Sequence, residues 1–217
     1  MPAKASKPIV CYVTDRKALR TGAGVRELLD RIHIAVDAGA DWVQIREKDL
    51  AARELLGLAR EAVAAGSARI LINDRLDVAL AAGADGVHLG HASLPAREVV
   101  SWCRRGNAPP DFLVGVSTHS LEGAKEAERD GASYTYFGPI YETPSKIPFG
   151  VPHGVAELAS VCSAIRIPVI AIGGVNESNA AECLRAGAAG MAAIRMIQGA
   201  EDGGALKALL DRIHRGD

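Results

Sequence analysis

No basic run longer than two residues stands anywhere in the chain, and its charges nearly cancel, with a formal net charge of −1 and a pI near 6.6. That balance excludes the electrostatic footprint of a nucleic-acid or anionic-membrane binder and leaves a small molecule as the expected partner. Paired cysteine spacings are also lacking. Cys11, Cys103, Cys162 and Cys183 are dispersed, which argues against a disulfide or metal framework and reads as buried structural thiols in a reducing cytoplasm. The opening "MPAKASKPIVCYVT" has too short an apolar stretch before Asp15 for a signal peptide or membrane span, so export is not expected. Linkers and low-complexity segments are missing as well, and residues 1–217 are read as one domain.

What is present is a repeat. With 48% hydrophobic residues and a mean hydropathy of +0.09, the chain has material for a full core. It arranges that material in recurring phrases: "AGADWVQI" from Ala38, "AGADGVHL" from Ala82, "DGASYTYF" from Asp130 and "AGAAGMAA" from Ala186. Each follows a helix-like stretch, places a glycine where that helix should stop, and continues into a short apolar run. Further apolar runs, "IVCYVT", "RILIN", "FLVGVS" and "IPVIAIGG", alternate with amphipathic stretches such as "VRELLDRIHIAVDA" and "LEGAKEAER". The segment "RRGNAPPDF" reads as a loop before the fifth strand. About eight strands alternating with helices predict a single-domain (β/α)8 TIM barrel, with a doubly wound open sheet as the competing architecture.

A barrel of that kind brings the C-terminal ends of all its strands to one rim. Strand two then supplies Gln44, Arg46, Glu47 and Lys48, and strand three Asn73 and Asp74. Strand four gives His88 and His91, strand five Ser117, Thr118 and His119, and strand six Thr143, Ser145 and Lys146. Gly173 and Gly174 follow strand seven, and Ile194 and Arg195 strand eight. Arg46, Lys48 and Lys146 suit an anion as large as a diphosphate, unless "REKD" is merely a solvated charge cluster with Glu47 and Asp49. Asp74 either offers an oxygen to Mg²⁺ or caps the helix beginning near Arg75. The "AIGG" turn offers backbone N–H groups to a monophosphate, and His119 is suited to acid–base work near neutral pH.

Taken in order along the chain, "QIREK", "IND", "DGVHLG", "GVSTHS", "FGPIYETPSK" and "IPVIAIGGV" closely resemble the thiamine phosphate synthase family and its relative, the thiazole tautomerase TenI. The resemblance runs from about Tyr12 to Ile197. It implies a barrel enzyme of thiamine biosynthesis that joins hydroxymethylpyrimidine diphosphate to a thiazole phosphate and releases diphosphate. Carried onto this chain, it implies that Gln44, Arg46 and Lys48 contact the pyrimidine diphosphate, that Asn73 binds substrate and that Asp74 ligates Mg²⁺. Ser117 lies near the pyrimidine and diphosphate; Thr143, Ser145 and Lys146 form the loop between the two substrates; Gly174 and Ile194, beside Gly173, cradle the thiazole phosphate. The family also suggests a homodimer. Two positions depart from it. Ser93, in "HLGHASL", stands where a second Mg²⁺-binding aspartate is usual, and Arg195, in "AIRMI", replaces a phosphate-cradling serine. The alternatives are a tautomerase, which needs no metal and uses the histidine matching His119 as acid and base, and a regulatory protein that keeps the phosphate pocket without turnover.

Overall fold

The four repeated phrases each end a helix on a glycine in the left-handed region: Gly39 at φ 101°, Gly83 at 71°, Gly131 at 84° and Gly187 at 98°. A side chain is disfavoured at such angles, so the phrase stops the helix and releases the next strand at the same point in every quarter of the chain. The computed structural model describes residues 7–19, 24–142 and 151–216. Its strands are β1 Ile9–Val13, β2 Trp42–Ile45, β3 Arg69–Asn73, β4 Gly86–Leu89, β5 Leu113–Thr118, β6 Tyr134–Phe137, β7 Val169–Ile172 and β8 Gly190–Ala193. All pair in parallel with their sequence neighbours, and β8 returns to β1 with Gly190 opposite Ile9, closing the barrel. The open-sheet alternative is thereby excluded.

Between the strands run α1 Val25–Asp37, α2 Ala52–Ala64, α3 Leu76–Ala82, α4 Ala96–Trp102, α5 Leu121–Arg129, α6 Gly154–Ala164 and α7 Ala180–Arg185. The short α8 Arg195–Gln198 and the longer α9 Gly203–Arg215 follow β8. Apolar residues in α1 recur at helical spacing, so Leu28, Leu29, Ile32, Ala35 and Val36 share the buried face. Burying each of its leucines stabilises the fold by roughly 1.5–3 kcal/mol. The segment expected as a loop before β5 begins otherwise: Cys103–Asn107 extends α4 by one wide helical turn, which Gly106 ends at φ 88°. Of the four thiols, Cys11 and Cys183 are buried, whereas Cys103 and Cys162 are only half-buried. No helix among the described residues is long and apolar enough to cross a membrane.

The repeat also fastens the bottom of the barrel. Asp41 of the first phrase accepts the backbone N–H of Val10 at 2.9 Å, Asp85 of the second accepts that of Ile70 at 2.7 Å, and Ser133 of the third accepts that of Val114 at 3.0 Å. In each case the polar side chain holds the start of the preceding strand. Asp41 further pairs with Lys7 and with His214 of α9, at 2.8 and 2.7 Å. Burial opposes ionisation there, but the Lys7, Val10 and His214 hydrogen bonds keep the Asp41 carboxyl below the usual carboxylate range.

Inside the barrel a second core of Cys11, Val13, Leu71, Tyr134, Tyr136, Ile170 and Ala192 is separate from the larger layer between strands and helices. Tyr134 reaches into it across Gly115. A Cβ at residue 115 would lie 2.0 Å from the tyrosine ring, so glycine there makes the space that tyrosine fills.

Candidate active site

The strand ends bring together most of the polar residues expected at the rim. Gln44, on the last turn of the pleat in β2, is 2% exposed. Its Nε2 donates to Asn73 Oδ1 at 3.0 Å, joining β2 to β3. Its Oε1 is buried without a hydrogen-bond partner among the described residues, an acceptor whose desolvation goes uncompensated until a donor arrives.

The run Arg46–Asp49 divides by sign. Glu47 is 5% exposed and turned to the end of β1, where it accepts Thr14 Oγ1 at 2.7 Å, the Arg16 backbone N–H at 3.1 Å and the Arg16 guanidinium at 3.1 Å. Asp49 is held by Arg16 at 2.6 Å and by Lys17 at 2.8 Å. Those two cations keep the Asp49 carboxyl well below the usual carboxylate range. Arg46 and Lys48 are left with no ion pair among the described residues. The solvated-cluster reading of "REKD" therefore fails for a reason invisible locally, because both acids are neutralised by residues about thirty positions earlier.

Asp74 is exposed and sits at φ 66°, the one non-glycine residue in the left-handed region among those described. Its backbone N–H bonds His88 O at 2.8 Å. It does not cap α3, whose N-cap is Arg75, and its carboxylate has no hydrogen bond or ion pair among the described residues. Arg75 is tied to Asp77 at 2.6 Å. Ser93 is turned into its own loop, where Oγ accepts the Gly90 N–H at 2.7 Å.

Ser117, half-buried near the end of β5, has its Oγ 2.8 Å from His88 Nε2. His88 was expected at the rim but lies one layer below it, 1% exposed. Burial, with the nearby Arg46 charge adding to it, pushes the His88 pKa down to about 3, so the ring is neutral. His119 is exposed just beyond β5, with its Nδ1 against the Gly138 carbonyl. Nδ1 must donate there, which leaves Nε2 as the acceptor nitrogen.

Beyond β6 the chain keeps pairing with the end of β7, Ile140 N–H to Ile172 O and Tyr141 N–H to Gly173 O, both at 3.0 Å. Gly173 and Gly174 have φ of 91° and 69°. A Cβ on Gly174 would lie 2.7 Å from the Glu142 carbonyl oxygen, so only glycine permits this approach. The strand-six segment is thus delivered beside the glycine turn. Thr143, Ser145 and Lys146 lie outside the described residues. Ile194 is half-buried after β8, and Arg195 opens α8, exposed and without an ion pair among the described residues. No cluster of three or more His, Cys, Asp or Glu suited to a metal occurs among the described residues.

Sequence reasoning missed four contributors. Thr14, Arg16 and Lys17 act on residues just beyond β2 from the end of β1, and Tyr134 acts on His88 from β6. The motif "TDRK" after an apolar run is the signal that identifies the first three as further rim residues.

The profile described as "Thiamine monophosphate synthase" matches residues 10–197. The chain is 40% identical over 202 residues to the thiamine-phosphate synthase of Roseiflexus castenholzii, covering 93% of this chain and 86% of that one. It is 46% identical over 188 residues to a putative thiamine-phosphate synthase of Geobacter sulfurreducens, covering 85% and 84%. Among solved structures, the thiamine phosphate pyrophosphorylase from Pyrococcus furiosus superposes with a TM-score of 0.82 at 31% identity, covering 96% of each chain.

Proposed function

Because the chain belongs to the thiamine monophosphate synthase family, we propose that this barrel joins hydroxymethylpyrimidine diphosphate to a thiazole phosphate, forming thiamine phosphate and releasing diphosphate. The observation that carries this reading is the division of the Arg46–Asp49 run. Arg46 and Lys48 have no ion pair among the described residues while Arg16 and Lys17 hold the neighbouring acids Glu47 and Asp49, which is the arrangement a dianionic or trianionic leaving group requires.

In the reaction the C–O bond to diphosphate breaks and leaves a pyrimidine methyl cation, which the thiazole nitrogen captures by forming the new C–N bond. Charge builds on the leaving group, so fixed cations stabilise the transition state more than the ground state. Arg46 and Lys48, joined by Lys146 from the sequence motif, serve that role. The unpartnered Gln44 carbonyl suits the exocyclic amine of the aminopyrimidine, and Asn73 holds the amide in the required orientation. The Gly173–Gly174 turn with Ile194 and Arg195 receives the thiazole phosphate. No protein nucleophile is needed.

Asp74 would hold Mg²⁺. A single uncommitted carboxylate on a strained rim residue fits an ion that takes its remaining ligands from substrate phosphates and water. Ser93, engaged with Gly90, does not add a second. When bound, the ion would supply further charge neutralisation on the departing diphosphate. His119, with its Nδ1–H engaged, presents Nε2 as a base, which would equally serve isomerisation of a thiazole carboxylate phosphate. Supplying that compound alone separates the two readings.

Calorimetric titration of hydroxymethylpyrimidine diphosphate into wild type and Arg46→Gln tests the site. Loss of one charge-assisted contact, about 1.5–3 kcal/mol, corresponds to roughly 10- to 150-fold weaker binding. Equal affinities would remove Arg46 from the diphosphate site.

A further inference from the structure

A line of three side chains runs from the barrel interior to its mouth. Tyr134 Oη lies 3.0 Å from His88 Nδ1, and His88 Nε2 lies 2.8 Å from Ser117 Oγ. Tyr134 and His88 are each 1% exposed, whereas Ser117 is half-buried, so of the three only the serine can meet a ligand. The imidazole is locked in place. It stacks on Tyr136 with ring centroids 4.0 Å apart, and Tyr134 occupies the space left by Gly115.

A neutral imidazole has one N–H and one bare nitrogen, so it cannot treat the two hydroxyls alike. Two polarities exist. In one, Tyr134 O–H donates to Nδ1, Nε2–H donates to Ser117 Oγ, and the serine proton faces the mouth. In the other, Ser117 gives its proton to Nε2 and turns only lone pairs outward. A phosphate oxygen accepts hydrogen bonds and offers none when ionised, so the first polarity alone suits an anionic ligand.

We propose that Tyr134 and His88 are positioning residues that fix the Ser117 hydroxyl as a donor toward the diphosphate-bearing substrate. The inference rests on the reading of this mouth as the pyrimidine diphosphate site. Removing the Tyr134 hydroxyl leaves Nδ1 without its donor, the ring takes either tautomer, and Ser117 spends part of its time with its proton turned inward. Part of the cost falls on folding, because Nδ1 is left buried without a partner, and the part that reaches the substrate falls on binding and alignment.

Nitrogen NMR of the wild-type protein reads the tautomer directly, with His88 assigned through its own side-chain correlations. The expected result is a protonated Nε2 and a bare Nδ1; the reverse pattern overturns the proposal whatever the enzyme's activity. The second arm is a double-mutant cycle. Tyr134→Phe should raise KM for hydroxymethylpyrimidine diphosphate about fivefold with a smaller change in kcat, and should add nothing once Ser117 is alanine. Additive effects of Tyr134→Phe and Ser117→Ala would assign Tyr134 a packing role only. Loss of all synthase turnover in the wild type would count against the functional reading, while the tautomer measurement would still decide the hydrogen-bond polarity.

Discussion

The Arg16 guanidinium, beyond the end of β1, meets the Glu47 carboxylate, beyond the end of β2, at 3.1 Å, and it holds Asp49 at 2.6 Å. With Lys17, which reaches Asp49 at 2.8 Å, it separates the two signs of charge in Arg46–Asp49. The acids are engaged by cations beyond β1, and Arg46 and Lys48 have no ion pair among the described residues. Its effect on substrate is therefore indirect.

Arg16→Met should weaken the pyrimidine diphosphate complex about three- to tenfold, because Glu47 and Asp49 would then compete for Arg46 and Lys48. Glu47 would keep the Thr14 hydroxyl and the residue-16 backbone N–H but lose its charged partner, at a cost in stability of about 1–3 kcal/mol. Denaturant unfolding and KM for the diphosphate check the two effects separately. A variant with lowered stability and unchanged KM would confine Arg16 to the scaffold.

Asp74 combines an uncommitted carboxylate with a left-handed backbone. Asparagine tolerates that backbone nearly as well as aspartate, whereas alanine there is strained by about 1–2 kcal/mol. Asp74→Asn is therefore the cleaner test of charge. It should leave the melting temperature close to wild type while raising the Mg²⁺ concentration for half-maximal turnover at least tenfold. Turnover that persists undiminished in excess chelator would remove Asp74 from any metal role.

How much of this was legible in the sequence depends on the range of the interactions. The helix stops and strand starts are written locally, in a glycine and the apolar run after it, so α1 at Val25–Asp37 and α5 at Leu121–Arg129 coincide with the amphipathic stretches that announce them. Rim placement of Gln44, Arg46, Asn73 and Ser117 followed from strand ends alone. What was not legible depends on partners distant in the chain. Glu47 and Asp49 look like neighbours that would neutralise Arg46 and Lys48 until Arg16 and Lys17 are brought beside them. His88 stands at a strand end and reads as a rim histidine, yet it is buried, stacked on Tyr136 and bonded to Tyr134 from β6, two partners that lie far along the chain. Helical continuation through Cys103–Asn107 was hidden by Gly106, which ends that turn instead of preceding it.

His88 gives the fold a predictable acid limb. In the folded chain it takes a proton only near pH 3, against 6.5 for the free side chain. Below pH 6.5 the unfolded chain therefore binds a proton that the folded chain refuses, and stability falls by up to about 1.4 kcal/mol per pH unit from this group. The stability it contributes is complete above pH 6.5 and is lost as the pH drops toward 3. His88→Gln should be less stable than wild type at pH 7, and the gap should narrow by pH 4.5. Urea midpoints at the two pH values measure it, and a constant gap would mean that His88 titrates normally in the folded protein.

The central claim is a coupling reaction at the mouth of this barrel, and one measurement tests it most directly. Purified protein is incubated with hydroxymethylpyrimidine diphosphate, thiazole phosphate and Mg²⁺, and thiamine phosphate and diphosphate are quantified together over time. The account predicts that both products appear in equal amounts, that neither forms when one substrate is withheld, and that Arg46→Gln slows both at least tenfold. Diphosphate released without thiamine phosphate, or no product from either substrate while both bind, would contradict it.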